Sequence, residues 1–447
     1  MTTNFSTNLG STKISTNLQT IQKNPQKDSE YPGSLSTHPE ISLTKKILIP
    51  TLLFINVTFF IWSNASNGAN LQAQLHFLGL ETNKINVSEF RLYESVKQMW
   101  ISGAYFVAIV ICVFSGTWPY VKLLGMTVAW FIPQKRLSFQ LREKFLIILD
   151  VMGKWSLLDT YFMIMNVVGF NLSKDLKIGF MNLSFNLAVT PVFQFLLFVI
   201  GTMMSLLITH IMIHDHRKIG EDKELMETEH YKQQMKQKYY IGIRKKSYKY
   251  IINCLIISAI LIQMFGYVVK VFEFTFGGLA GWAVGKKATQ AYSLWDIGSQ
   301  FPEKTFEPDS FETLFLQTIY FIFTLVIPIM FLTLVLIMNT FTMRIEYLKE
   351  LFTYTEIIYA WSSIEVLTLA VLAAVLQIGL VVDEVVGDNC QGLNQYIEYL
   401  SNQYPEIFDL NGEYTCFQID SELKFGAILL IFSSIVFIIL GTSTLRF

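Results

Sequence analysis

The sequence predicts an all-α integral membrane protein: eight transmembrane helices in two parallel four-helix repeats, with small extracytosolic elements that include short strands. Three observations carry this expectation. Of 447 residues, 52% are hydrophobic and only 15% charged, whereas a soluble domain carries roughly a quarter charged residues. Eight apolar runs approach or exceed the about 20 residues that a helix needs to cross a bilayer. Matched landmarks also recur about two hundred residues apart. The net charge of −1 supplies no basic field to hold nucleic acid, so a nucleic-acid partner is not expected.

Residues 1–42 are rich in Ser, Thr, Asn and Gln without an apolar core, which reads as a disordered cytosolic tail and not as a cleaved signal peptide. The apolar runs of a first membrane module, 43–213, lie near 46–62, 99–131, 145–170 and 186–213. A charged linker, 214–248, follows; its His214, His216 and His230 read as solvated side chains. The second module, 249–447, has runs near 250–272, 314–342, 352–382 and 424–443, with an acidic outer loop at 383–423.

Lys and Arg mark the cytosolic flanks of spanning helices. Lys135, Arg136, Arg142 and Lys144 stand between the second and third runs, and Arg217, Lys218, Arg244, Lys245, Lys246 and Lys249 between the fourth and fifth. The 383–423 loop has nine acids and no Lys or Arg. Both termini are therefore expected in the cytosol. N-x-S/T sequons at Asn64, Asn86, Asn171 and Asn182 fall in segments assigned outside, as N-glycosylation would require. Cys390 and Cys416 share the outer loop, where a disulfide could persist, whereas Cys112 and Cys254 read as buried thiols.

The repeat rests on three landmarks in the same order. Trp155-Ser156-Leu157-Leu158-Asp159 returns 206 positions on as Trp361-Ser362-Ser363-Ile364-Glu365. Pro119 returns as Pro328, and each is expected to kink a long apolar helix because proline removes a backbone hydrogen bond. Phe90-Arg91-Leu92-Tyr93-Glu94 resembles Tyr292-Ser293-Leu294-Trp295-Asp296. Copies with an even number of helices run parallel, and they favour a site at their shared interface.

Asp150, Lys154 and Asp159 place charge in or near a membrane helix, where each charge costs on the order of 3 kcal/mol and faces a bundle interior or wet cavity. Four residues apart, Asp150 and Lys154 share a helix face and can pair. Lys122 is expected to snorkel toward the interface. Asp159 and Glu365 occupy equivalent positions, leaving two readings: a polar coupling or headgroup site, or structural contacts through Ser156, Ser362 or Asn166. No nucleophile with an adjacent base, phosphate loop or HExxH pattern occurs, so neither an enzyme nor a cofactor or metal site is expected.

A Pro-containing helix, a basic loop and then Asp150-x-x-x-Lys154-Trp155-Ser156-Leu157-Leu158-Asp159 opening the next helix resemble the paraquat-inducible protein A family. The family includes the A component of the lipophilic envelope-spanning tunnel. The resemblance implies twin four-helix modules and a role in moving phospholipid between membranes beside MCE-domain partners. It implies a polar cluster of Lys154, Trp155, Ser156 and Asp159, echoed by Trp361, Ser362 and Glu365. Bacterial members carry CxxC zinc ribbons, but here no cysteine precedes Cys112 and none lies in the linker, so that metal site is not expected. The competing expectations are a tetraspan-like scaffold that binds a protein partner through its outer loops, and a proton-coupled carrier of small solutes.

Overall fold

The computed structural model describes residues 33–77, 80–81, 84–169, 172–178, 181–220, 246–278, 289–385 and 418–445, with Lys238–Tyr239 and a few isolated positions. Most of the 1–42 tail, of the linker and of the 383–423 loop, with Cys390 and Cys416, lie outside the described residues, as does Asn171.

In the first half, α1 (Leu43–Ala65) starts where the Ser42 side chain accepts from the Lys45 amide, satisfying a backbone donor that the helix itself leaves free. Past its end come β1 (Ala69–Phe77), β2 (Leu80–Glu81) and β3 (Ile85–Phe90), followed by α2 (Leu92–Ile101) and α3 (Tyr105–Ile111). Gly103 breaks α2 from α3 with φ +84°, a left-handed conformation that residues with a Cβ resist. A π-helical turn, Cys112–Thr117, leads into α4 (Trp118–Phe131). Then come α5 (Phe139–Val151), a 3-10 segment Met152–Leu157, α6 (Leu158–Gly169), β4 (Leu172–Ile178), β5 (Met181–Pro191) and α7 (Phe193–Ile219).

After β6 (Lys238–Tyr239), the second half lays out α8 (Lys246–Val268), β7 (Lys270–Gly277), β8 (Thr289–Ser293), α9 (Leu294–Gln300) and α10 (Phe311–Phe321). A π turn, Ile322–Val326, leads into α11 (Ile327–Thr340). The rest is β9 (Met343–Arg344), α12 (Ile345–Trp361), α13 (Ile364–Val385), β10 (Gln418–Leu423) and α14 (Phe425–Leu445).

Seven helices among the described residues are long and apolar enough to cross a membrane: Leu43–Ala65, Tyr105–Phe131, Phe193–Ile219, Lys249–Val268, Phe311–Thr340, Ile345–Leu376 and Phe425–Thr444. The expected eighth, near 145–170, is absent from this set. It is divided among α5, the 3-10 segment and α6; it carries Asp150, Lys154 and Asp159, and Arg142, Glu143 and Lys144 precede it in α5. Large apolar side chains face outward along the seven, including Phe54, Leu207, Leu261, Phe265 and Ile428. In water such surfaces would be a liability; in lipid they are matched to their solvent.

Strand content is larger than the sequence reading allowed. In the first half β1 is central, antiparallel to β5, β3 and β2, and β4 pairs β5. In the second, β7 pairs antiparallel with β10 and β8. Residues 186–191 and 270–272, read above as parts of membrane runs, are strand, because total hydropathy cannot tell a buried strand from a helix. In both halves one strand follows the first long helix, another precedes the last, and the two are paired.

Both prolines sit just inside a helix that follows a π turn. Proline has no N–H and crowds the carbonyl one turn back; the wider π turn relieves that conflict. Thr117 Oγ1 donates to the Cys112 carbonyl, 3.1 Å, and Thr324 Oγ1 to that of Tyr320, 2.6 Å, so side chains take up backbone acceptors at both places. Helices α5 and α6 pack against α12 and α13 at the junction of the halves.

Candidate functional site

The junction holds a buried charged network. Lys154, 1% exposed, forms an ion pair with Glu365, 7% exposed, and its ammonium lies 4.4 Å from the centre of the Tyr359 ring. The expected Asp150–Lys154 pair does not form. Asp150 Oδ2 instead lies 3.2 Å from His210 Nδ1, and Trp361 Nε1 donates to His210 Nε2 at 2.7 Å. The 3-10 segment explains the difference: at three residues per turn, positions four apart no longer share a face. Lys122 does not snorkel. It is 1% exposed and donates to Ser205 Oγ at 3.0 Å, since its face of α4 packs into the bundle.

Aromatic contacts brace this network. Trp155 stacks on Phe114 at 5.0 Å between centroids, and Trp361 on Phe323 at 5.5 Å; each phenylalanine comes from a π turn. Tyr161 and Ser363 share a hydroxyl hydrogen bond across the junction. At the end bearing the basic loops, Arg217 holds Glu143 at 2.9 Å and grips both oxygens of Glu356 at 2.7 and 3.0 Å. The expected contacts of the acids with Ser156 and Ser362 are not formed: Ser156 is buried in the 3-10 segment, and Ser362 Oγ and Glu365 Oε2 are buried without a partner among the described residues. Each such atom carries an unreturned desolvation cost.

Asp159 lies elsewhere. It lines a cavity of about 70 Å³ inside the first half, bordered on the strand side by Phe90 of β3 and Val189 of β5. A single water needs roughly 10–15 Å³ by this measure, so the space holds a small group and not merely a trapped water. Polar side chains Ser66, Ser95, Gln98 and Asn166 line it with Asp159, and Phe90, Phe162, Met163 and Phe195 complete the wall. No basic residue lines it, and among the described residues the Asp159 carboxylate makes no hydrogen bond or ion pair. Thus Asp159 and Glu365, equivalent in the repeat, occupy different environments: one open to a cavity, the other neutralised by Lys154.

Several further expectations change. His216, expected to be solvated, is 0% exposed and its ring stacks on Phe139 at 3.9 Å, because α7 continues past the assigned module end. Cys112 and Cys254 are free but exposed, on outward helix faces. Asn64 sits in the last turn of α1 with Nδ2 donating to Tyr120 Oη at 3.0 Å, an engagement that suits a glycan acceptor poorly. Asn86 is exposed in β3; Asn182 is placed only as a backbone position in β5. Sequence reasoning missed His210, Arg217 and Glu356 as network members. Their signal was polarity inside long helices.

Seven apolar spanning-length helices around a buried polar core define a multi-pass helical membrane protein. Residues 73–213, from within β1 almost to the end of α7, match the family model described as Paraquat-inducible protein A. No curated protein and no solved structure matches the chain.

Proposed function

We propose that the protein is a non-enzymatic, membrane-embedded component of intermembrane lipid transport or membrane homeostasis, and that lipid enters through the Asp159 cavity. The observation that carries this reading is the cavity's mixed lining, which combines a carboxylate, amides and hydroxyls with phenylalanine side chains and so suits an amphiphile where headgroup meets chain. Its depth supports the same reading. The exposed Tyr93, Trp100 and Tyr105 flank it on α2 and α3, and such aromatic side chains gather at the level of lipid headgroups.

In this proposal residues 139–169 cross as an eighth helix whose charges are tolerated because they face the junction. The two halves are then parallel copies. The paired strands, the π turns ahead of Pro119 and Pro328 and the twin Trp–Phe stacks support that relation. Both termini lie on the cytosolic side with the basic connections, the sheets lie outside, and a protein partner would dock on the sheet side.

The test is photocrosslinking from Met163, one turn beyond Asp159 on the cavity wall, with Phe54, 73% exposed on α1, as a lipid-facing control. Saturable capture of phospholipid at Met163, beyond that at Phe54, is expected. Equal, non-saturable capture at both positions would refute a lipid path through the first half.

A further inference from the structure

We propose that the cavity of the first half is a binding site for an organic ammonium group, held by Asp159. This rests on the lipid reading above and adds the chemistry that the site selects.

Three observations converge. Among the described residues the Asp159 carboxylate has no partner, it lines open space, and no Lys, Arg or His lines that space with it. A carboxylate in a low-dielectric bundle without a counter-charge either takes up a proton or is paired by a cation, and a cationic ligand that fits the space would hold it ionised. Its counterpart Glu365 already has one, Lys154. The position that would supply the matching cation to Asp159, 206 residues beyond Lys154, is Ala360, fully buried. The second half thus offers no cation at the matching position, and an ammonium ligand would supply one.

The rest of the lining decides between kinds of cation. Among the described residues no group of three or more His, Cys, Asp or Glu side chains could hold a metal ion, and a lone carboxylate is a poor cage for a divalent ion. The amide oxygens of Gln98 and Asn166 and the hydroxyl oxygens of Ser66 and Ser95 can accept from a primary ammonium, which has three protons to donate. The rings of Phe90, Phe162 and Phe195 offer faces that attract primary and quaternary ammonium alike. A phosphate would meet only neutral donors, so ammonium and not phosphate is the group recognised. Two sources fit this chemistry: the headgroup of an aminophospholipid or phosphatidylcholine, and a free amine.

The experiment uses the full-length protein in vesicles of equal acyl composition, with the photoreactive residue at Met163. Phosphatidylethanolamine and phosphatidylcholine are compared with phosphatidylglycerol, which lacks an ammonium. In parallel, ethanolamine and choline are titrated against the purified protein while its melting temperature is followed, with sodium chloride as the ionic control. Capture of the two ammonium lipids is expected to exceed that of phosphatidylglycerol by about ten- to a hundredfold, to vanish in Asp159→Asn and to persist in Asp159→Glu. The lipid comparison needs no variant, so misfolding of a mutant cannot rescue or sink it. Saturable capture of all three lipids alike would overturn the ammonium site while leaving the lipid path standing. Without lipid capture, stabilisation by ethanolamine or choline beyond the sodium chloride control, lost in Asp159→Asn, would keep the ammonium site and refute the lipid path. Neither capture nor stabilisation would overturn both.

Discussion

Lys154 and Glu365 show what a single residue contributes to the junction. Both are almost fully buried, so deleting one partner strands the other's charge. Lys154→Met is expected to cost about 3–5 kcal/mol, and Lys154→Met with Glu365→Leu to recover most of that loss. Thermal unfolding of the single and double variants in detergent checks this; additive losses would show that the two side chains are not coupled. The choice of Lys154, Asp159 and Glu365 as candidates was legible in the sequence, because charge within apolar helices is costly and therefore informative. Which charge meets which was not. Asp150 and Lys154 part company through a 3-10 turn that no spacing rule foretells, and Lys154 finds its partner 211 residues away.

At the scale of the element, strand-to-helix junctions tie the sheets to the bundle. Ser293 and Asp296 form a capping box at the start of α9, and Lys270 adds an ion pair to Asp296 at 2.6 Å. Partial burial raises the Asp296 carboxyl, but hydrogen bonds from Lys270 and Ser293 outweigh it and hold the group below its ordinary value. A depressed folded pKa contributes stability above the unfolded value, roughly 3.9, and that contribution is lost as pH falls through the folded value. Asp296→Asn is therefore expected to weaken the α9 start by about 1 kcal/mol at neutral pH and to blunt its acid sensitivity. Hydrogen exchange of the α9 amides across an acid series reads both.

The opposite junction depends on close approach. A Cβ on Gly426 would fall 2.5 Å from the Lys270 carbonyl oxygen, and backbone cannot step aside. Gly426→Ala is expected to destabilise by about 1–3 kcal/mol, seen as a lower melting temperature with unchanged helix content. Helices at this scale were legible from hydropathy, whereas strands were expected only as short outer elements and their extent was not read, although the signal was present. Ala69 to Phe77 and Met181 to Val189 alternate apolar and polar residues almost without exception, the period of a half-buried strand. Averaged over a window of membrane length, that alternation cancels.

For the whole molecule, the junction of the halves is held by side chains that neither half satisfies alone. Arg217 is the clearest case, bridging Glu143 of α5 and Glu356 of α12. Fragments produced by cutting within 221–237 are expected to stay associated. Arg217→Ala is expected to weaken their association by about 1–3 kcal/mol, less than a fully buried pair would lose because the side chain is 33% exposed. Co-purification of tagged fragments reads the change. The membrane character of the chain, the number and order of its long helices to within the divided 139–169 segment, and the acids worth asking about all follow from local sums of hydropathy and charge. A bilayer imposes that demand segment by segment. Folding alone determined that Glu365 is neutralised, that Asp159 lines an open cavity and that residues of α2, α6 and α7 meet around it. Those outcomes depend on how helix faces distant in sequence are turned toward one another, and no local sum contains that orientation.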